Sequence, residues 1–338
     1  MKQDVKDTLG RAIRDLRISV TDRCNFRCPY CMPVEVYGDR YKFLPKPQLL
    51  TFEEIARLTK LFVDLGVTKV RLTGGEPLIR NNLEELVSLL SSISGIQDLT
   101  LTTNGYLLAG KAQALKDAGL NRITVSVDSL DDEVFKKMNG RRFGPQKVLE
   151  GIAKSAKVGL TPIKINSVVQ KGVNDHTIVD LAKYFRGTGH IVRFIEFMDV
   201  GNINGWKLDQ VVSASDIAAR INEEMPIEAI APNYPGEVAL RYRYKDGSGE
   251  IGIIASVTKP FCGACTRARI STDGNVFTCL FGSIGHNLRH TLRSGASDDE
   301  LKATIKQIWG RRTDQYSEDR AFITEPGPKK VEMYQIGG

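Results

Sequence analysis

The sequence predicts an α/β chain: an incomplete, TIM-like (β/α)6 barrel followed by a C-terminal α+β extension carrying β-hairpins. Three observations predict it. Six short strand-like runs recur, each followed by a helical pattern or a loop. Strand then helix at this rhythm means right-handed crossovers and a parallel sheet. Five of the runs carry polar residues at every second position, which favours a barrel with a wet lumen over an open doubly wound sheet. After Met198 the pattern changes to hairpins.

The first run is Leu16-Arg17-Ile18-Ser19-Val20, leading straight into a cysteine-rich loop. Thr51, with Glu54 three residues on, reads as the capping box of a helix that stops at Gly66. The strand Lys69–Thr73 then meets Gly74-Gly75-Glu76-Pro77, and a helix is predicted over 82–93. The strand Leu99–Thr103 ends at Asn104-Gly105, a helix ends at Gly119, and Ile123–Asp128 follows. Helices are expected over 131–139 and 145–158, a strand over 163–168, a helix over 175–186 and the sixth strand over 192–198. A helix over 215–224 leads into the extension. There Asp246-Gly247 and Asp273-Gly274 each lie between β runs, a strong hairpin signal. The predicted division is 1–224 for the barrel and 225–338 for the extension.

Strands buried on both faces read as continuous apolar runs. Here Arg17 and Ser19, then Lys69, Arg71 and Thr73, then Thr100 and Thr102 alternate with aliphatics. So do Thr124, Ser126 and Asp128, then Lys164 and Asn166. Period two places each polar set on one face. The apolar face packs on outer helices, and the polar face lines a cation-rich lumen wide enough for a ligand, unlike a filled eight-stranded interior.

At 338 residues and 41% hydrophobic, the chain builds a large core without staples. Lys and Arg number 47 against 40 Asp and Glu, a net charge of +7. That excess permits an anionic partner such as a nucleotide without demanding one. No apolar run reaches the length of a membrane span. Met1 is followed by Lys2, Asp4, Lys6 and Asp7 rather than an apolar leader core, so a cytoplasmic chain is expected.

Cys24-Asn25-Phe26-Arg27-Cys28-Pro29-Tyr30-Cys31 spaces three cysteines as C-x3-C-x2-C. A cubane [4Fe–4S] cluster takes four cysteine ligands, so three leave one iron open, as a catalytic zinc keeps one position free. A structural zinc site, a C-x-x-C redox dithiol and disulfides are the alternatives. The remaining cysteines, Cys262, Cys265 and Cys279, form C-x2-C-x13-C around the Asp273-Gly274 turn. Again there are three, and His286 or His290 could complete a zinc site. Arg267 and Arg269, between these ligands, share one strand face and make a fork for phosphate oxygens. With Lys69, Arg71 and Lys164 they point to a polyphosphate ligand.

With these residues assembled, the chain resembles radical S-adenosylmethionine (SAM) enzymes. The C-x3-C-x2-C motif with Tyr30 before its last cysteine, and Gly74-Gly75-Glu76 after the next strand, carry that resemblance. Cys262, Cys265, Cys279, Arg267 and Arg269 narrow it to the GTP 3′,8-cyclase (MoaA) family of molybdenum cofactor biosynthesis. The resemblance runs from Arg17 to Gly337-Gly338 and implies two [4Fe–4S] clusters. Cys24, Cys28 and Cys31 would hold the first, whose open iron chelates SAM, with Tyr30, Gly75, Ser126 and Met198 lining the SAM site. Cys262, Cys265 and Cys279 would hold the second, whose open iron takes the guanine base. Arg17, Arg71, Thr102, Lys164, Arg267 and Arg269 would contact GTP. Cys24, Cys28, Cys31, Arg267 and Arg269 form the implied catalytic set, and the Gly-Gly tail would reach the active site.

The implied reaction cleaves SAM to a 5′-deoxyadenosyl radical, which takes hydrogen from C3′ of GTP. The carbon radical closes onto C8, and an electron and a proton quench the resulting radical, giving (8S)-3′,8-cyclo-7,8-dihydroguanosine 5′-triphosphate. Implied partners are GTP, an electron-donor protein and a downstream cyclic pyranopterin monophosphate synthase that uses the product. No membrane or nucleic acid is implied, and there is room for a homodimer. Two rivals remain: a radical SAM peptide-modifying maturase, which usually carries more C-terminal cysteines, and a non-enzymatic, zinc-stabilised nucleotide- or RNA-binding protein.

Overall fold

Six parallel strands form the centre of the molecule: β1 Asp15–Ser19, β2 Lys69–Thr73, β3 Asp98–Thr103, β4 Arg122–Ser126, β5 Lys164–Val169 and β6 Ile191–Glu196. They are neighbours in sequence order, as right-handed crossovers require. The computed structural model describes residues 4–322 and 328–337. The outer layer comprises α1 Phe52–Asp64, α2 Leu83–Ser91, α3 Ala112–Asp117, α4 Asp132–Asn139, α5 Gln146–Lys157, α6 Ile178–Phe185 and α7 Ala214–Glu224. Thr51 makes the predicted reciprocal cap with Glu54 at the start of α1. Leu16, Ile18, Val70, Leu72, Leu101, Ile123, Val125, Ile163 and Ile165 are buried together with the apolar faces of these helices.

Beyond α7 come β7 Ile227–Ile230, β8 Leu240–Tyr244, β9 Glu250–Ile254, β10 Arg267–Ile270, β11 Asn275–Phe277 and β12 His286–Asn287. Both Asp-Gly turns join antiparallel pairs, β8 to β9 and β10 to β11. These hairpins do not form a separate layer. β9 lies parallel against β6, and β10 parallel against β1, so the described sheet runs β12-β11-β10-β1-β2-β3-β4-β5-β6-β9-β8-β7 without closing. A six-stranded sheet leaves a row of unpaired backbone groups at each edge; one arm of each hairpin satisfies one row. Helices α8 Leu288–Arg293, α9 Asp298–Gly310, α10 Tyr316–Asp319 and α11 Met333–Ile336 complete the described chain. Among the described residues no helix is long and apolar enough to cross a membrane.

Candidate active site

The cysteine loop leaves β1 and is fixed at several points. Phe26 packs among the rings of Tyr106, Phe135 and Phe143, at 6.2, 6.3 and 5.3 Å between centroids. Arg27 donates through Nε to the carbonyl of Tyr37 and through Nη1 to that of Cys24 (2.6 and 2.7 Å), and its own N–H donates to Asn139. Cys31 and Met32 both donate backbone N–H to the carbonyl of Cys28, which turns the segment tightly. The Gly-Gly pair after β2 abuts this loop. A Cβ on Gly75 would overlap the carbonyl of Arg23, and one on Gly74 that of Thr21. The close approach that requires glycine here is therefore by the chain's own backbone, with Gly75 N–H donating to Thr21 and Glu76 N–H to Arg23, both at 2.8 Å. Glu76 is buried and accepts from Thr103 Oγ1, Asn104 N–H and Leu78 N–H.

Cys24, Cys28, Tyr30, Cys31, Gly75, Ser126 and Met198 line one cavity. Burial pushes the Cys24 thiol up to about 12, with Glu76 adding to it. Burial likewise raises Cys28 and Cys31. Three buried thiols with no strong cationic partner are costly to ionise by themselves; a bound metal centre supplies that compensation. Tyr30 donates its hydroxyl to Asp128 at 2.8 Å, tying the loop to the end of β4. Asn104, which the sequence reading passed over, donates to Asn25 Oδ1 at 2.8 Å and faces Cys24 Sγ at 3.8 Å. Its signal was its place at a strand's carboxyl end, where barrel active sites are built.

A second cavity adjoins the first. Arg17, Arg71, Thr102, Arg267, Arg269, Cys262, Cys265 and Cys279 line it, and Thr102, Asn166, Ile195, Met198 and Leu280 line both. Arg269, Arg17 and Arg71 stand in register across β10, β1 and β2. Arg71 Nη1 donates to Thr102 and Thr124, yet Nε of Arg71 and Nε of Arg17 are buried without a protein partner. Burial and the neighbouring Arg269 hold Arg17 well below its ordinary range. The half-buried Asp15 offsets only part of this charge, so the row still carries positive charge awaiting an anion. Arg193 belongs to this wall as well, through Asn166 at 2.9 Å; its alternation with Val192 and Phe194 was the signal for it. Lys164 lines neither cavity. It lies deeper along β5, where burial and then Arg193, Arg122 and Lys69 lower it to about 7.

Cys262 and Cys265 precede β10, and Cys279 follows β11. Arg267 is level with Asp15 at the start of β1, whereas the first cysteine loop follows its end. The five residues of β1 therefore separate the two triplets by roughly 15 Å. The Cys265 thiol is raised by burial but brought down to about 7 by Arg267 and Arg312, whereas burial pushes Cys279 up to about 11. All six cysteines are unpaired, which removes the disulfide alternative. Neither His286 nor His290 lines the cavity with the second triplet. Among the described residues no three His, Cys, Asp or Glu side chains gather as the ligands of a single ion.

The chain's end reaches this space. Tyr334 and Met333 line the first cavity, Tyr334 packs edge-on against Tyr37, and Arg269 Nη1 donates to the carbonyl of Gly337. A Cβ on Gly337 would overlap Thr73, so only glycine passes there. Gly338, the other half of the tail, lies outside the described residues.

The Radical SAM superfamily model matches residues 18–185, and the Molybdenum Cofactor Synthesis C model matches residues 190–318. A GTP 3′,8-cyclase of Acidothermus cellulolyticus is 50% identical over 362 residues, spanning 100% of both chains. One of Staphylococcus epidermidis is 50% identical, and one of Staphylococcus aureus 49%, again over 100% of each chain. Among solved structures, methylornithine synthase superposes with a TM-score of 0.50 at 16% identity, over 93% of this chain and 86% of that one; this likeness shows the fold. With relatives matched end to end at half identity, the chain belongs to the GTP 3′,8-cyclase family of the radical SAM superfamily.

Proposed function

We propose that the chain converts GTP to (8S)-3′,8-cyclo-7,8-dihydroguanosine 5′-triphosphate, the first step of molybdenum cofactor biosynthesis, using two [4Fe–4S] clusters and SAM. The observation that carries this reading is a pair of adjoining cavities that share five lining residues, with a cysteine triplet in each and a row of arginines along the second. In this reading residues 1–224 handle SAM and 225–338 supply the second triplet. Cys24, Cys28 and Cys31 hold the first cluster, and Cys262, Cys265 and Cys279 the second. When bound, the first cluster and SAM supply the one-electron cleavage that produces a hydrogen-abstracting adenosyl group.

The chain's own residues do the rest. Tyr30, Gly75, Ser126 and Met198 form the walls against which SAM lies. Arg17, Arg71, Arg267 and Arg269 bind the triphosphate by charge-assisted hydrogen bonds, Thr102 stands between the two ligands, and Lys164 adds charge at the deep end. The base then points toward the second triplet and the ribose toward SAM, the orientation that intramolecular ring closure requires. Gly337 and Tyr334 help to exclude water from the reacting radical. The chemistry requires an electron donor, and a downstream cyclic pyranopterin monophosphate synthase would use the product. A homodimer and a cytoplasmic location complete the reading.

Anaerobic reconstitution tests the metal content. About eight iron atoms per chain are expected for two cubanes, whereas zinc with negligible iron would favour a zinc-stabilised binding protein. Cys28→Ala should stop SAM cleavage. Cys265→Ala should keep some cleavage and lose cyclisation; full turnover of GTP by that variant would remove the second cluster from the reaction.

A further inference from the structure

The segment before β1 buries an ion-pair network directly behind the second cysteine triplet. Asp7 accepts from Arg11 Nε at 2.6 Å and from Arg312 Nη1 at 3.2 Å. The Asp7 and Arg312 side chains are almost wholly buried, and Arg11 is 3% exposed. Both arginines reach forward to the cysteine backbone. Arg11 Nη1 donates to the carbonyl of Cys262 at 2.9 Å, and to that of Asp314 at 2.8 Å. Arg312 Nη1 donates to the carbonyl of Cys265 at 2.7 Å, and its Nε meets Asp314 at 3.3 Å. Asp314 in turn accepts from Thr278, the neighbour of Cys279, at 2.5 Å. The network thus touches the backbone at two cysteines and the residue beside the third.

Its other side is locked to the scaffold. Trp309 Nε1, at the end of α9, donates to the carbonyl of Arg11, the Arg312 guanidinium lies 4.7 Å from the Trp309 ring centre, and Thr8 Oγ1 donates to the carbonyl of Arg312. A further donor, Arg11 Nη2, is buried without a partner. Burying this much charge is expensive, and a well-packed apolar cluster would stabilise the fold as well or better. Such a network needs a reason beyond stability. Three thiolates around an open-iron cubane carry net negative charge, and two guanidiniums fixed behind their loop offset it.

We propose that Arg11 and Arg312, oriented by the shared carboxylate of Asp7, are positioning residues for the second cluster, holding the backbone of Cys262 and Cys265 and raising the cluster's reduction potential. This rests on the reading of the second triplet as a cluster site. Arg312 and Arg11 act through the cysteines they hold.

The test uses the full chain with Cys24, Cys28 and Cys31 replaced by Ala, so that only the second site can load. About four iron atoms per chain are expected, and a redox titration followed by electron paramagnetic resonance then reads that cluster alone. Adding Arg312→Gln should shift the midpoint to lower potential and speed the loss of iron to a chelator. Arg312→Lys, which keeps the charge, should return the midpoint most of the way toward that of the unsubstituted site. Asp7→Asn, which leaves both arginines charged but unoriented, should speed iron loss and move the midpoint less than Arg312→Gln. Far-UV circular dichroism checks that each variant is folded. A midpoint and an iron-loss rate unchanged in folded Arg312→Gln would overturn the inference while leaving the cluster in place. Failure of the unsubstituted second triplet to bind iron would overturn the cluster reading and the inference with it.

Discussion

Lys164 and the arginine row carry the electrostatic argument at the level of single side chains. Lys164 is lowered to about 7 by burial, with Arg193, Arg122 and Lys69 adding to it. Above that pH it is largely neutral in the free chain; although it lines neither cavity, the charge of a triphosphate held on the arginine row beside it would raise it again. GTP binding should therefore take up protons above about pH 7, and affinity should fall as pH rises. Calorimetry in buffers of different ionisation heat measures the uptake. Lys164→Arg stays charged and should abolish the uptake. Arg267→Ala should weaken GTP by about tenfold or more and guanosine far less; equal losses would count against a phosphate contact. The alternation of Arg17, Arg71, Thr102 and Lys164 with aliphatics made their common face readable from sequence. What no alternation shows is depth along the strand, and that is why Lys164 falls below the cavity wall that Arg71 and Thr102 share. Nor could sequence show what makes Gly75 necessary, because the backbone of Arg23 that crowds it approaches only once β1 and β2 pair.

Elements are tied together by a few buried polar groups. Glu196, fully buried at the end of β6, accepts from the N–H of Ala214 at the start of α7 and from the N–H groups of Val257 and Thr258, all at 2.8 Å, and from the Thr258 hydroxyl. Glu196→Ala removes the acceptor of three N–H groups, the one on Ala214 buried, and should cost about 2 kcal/mol, read as a lowered denaturation midpoint, with Glu196→Gln recovering part of it. Local signals marked many of the elements: the capping box at Thr51, the Asp-Gly turns, the six alternating runs. The same logic was available for α9, where Ser297 and Glu300 cap reciprocally, and it went unread. Removing that cap with Ser297→Ala should cost about 1 kcal/mol, measured by the same denaturation. By contrast, the parallel seating of β9 on β6 and of β10 on β1 joins residues with no local signature in common. Edge pairing of that kind is decided by which backbone rows remain free after the central sheet forms, and only the assembled fold exposes it.

Across the whole molecule, the strand direction does the organising. One triplet follows the carboxyl end of β1, the other is level with its beginning, and the charged row fills the interval. That interval suits a ligand whose base, sugar and phosphates must each meet a different partner. The most direct test is anaerobic incubation of the reconstituted chain with SAM, a reductant and GTP carrying deuterium at C3′, followed by mass analysis. Deuterium should move into 5′-deoxyadenosine, and the product should be an isomer of GTP lacking that label. Deuterium-free 5′-deoxyadenosine with GTP recovered unchanged would contradict the account.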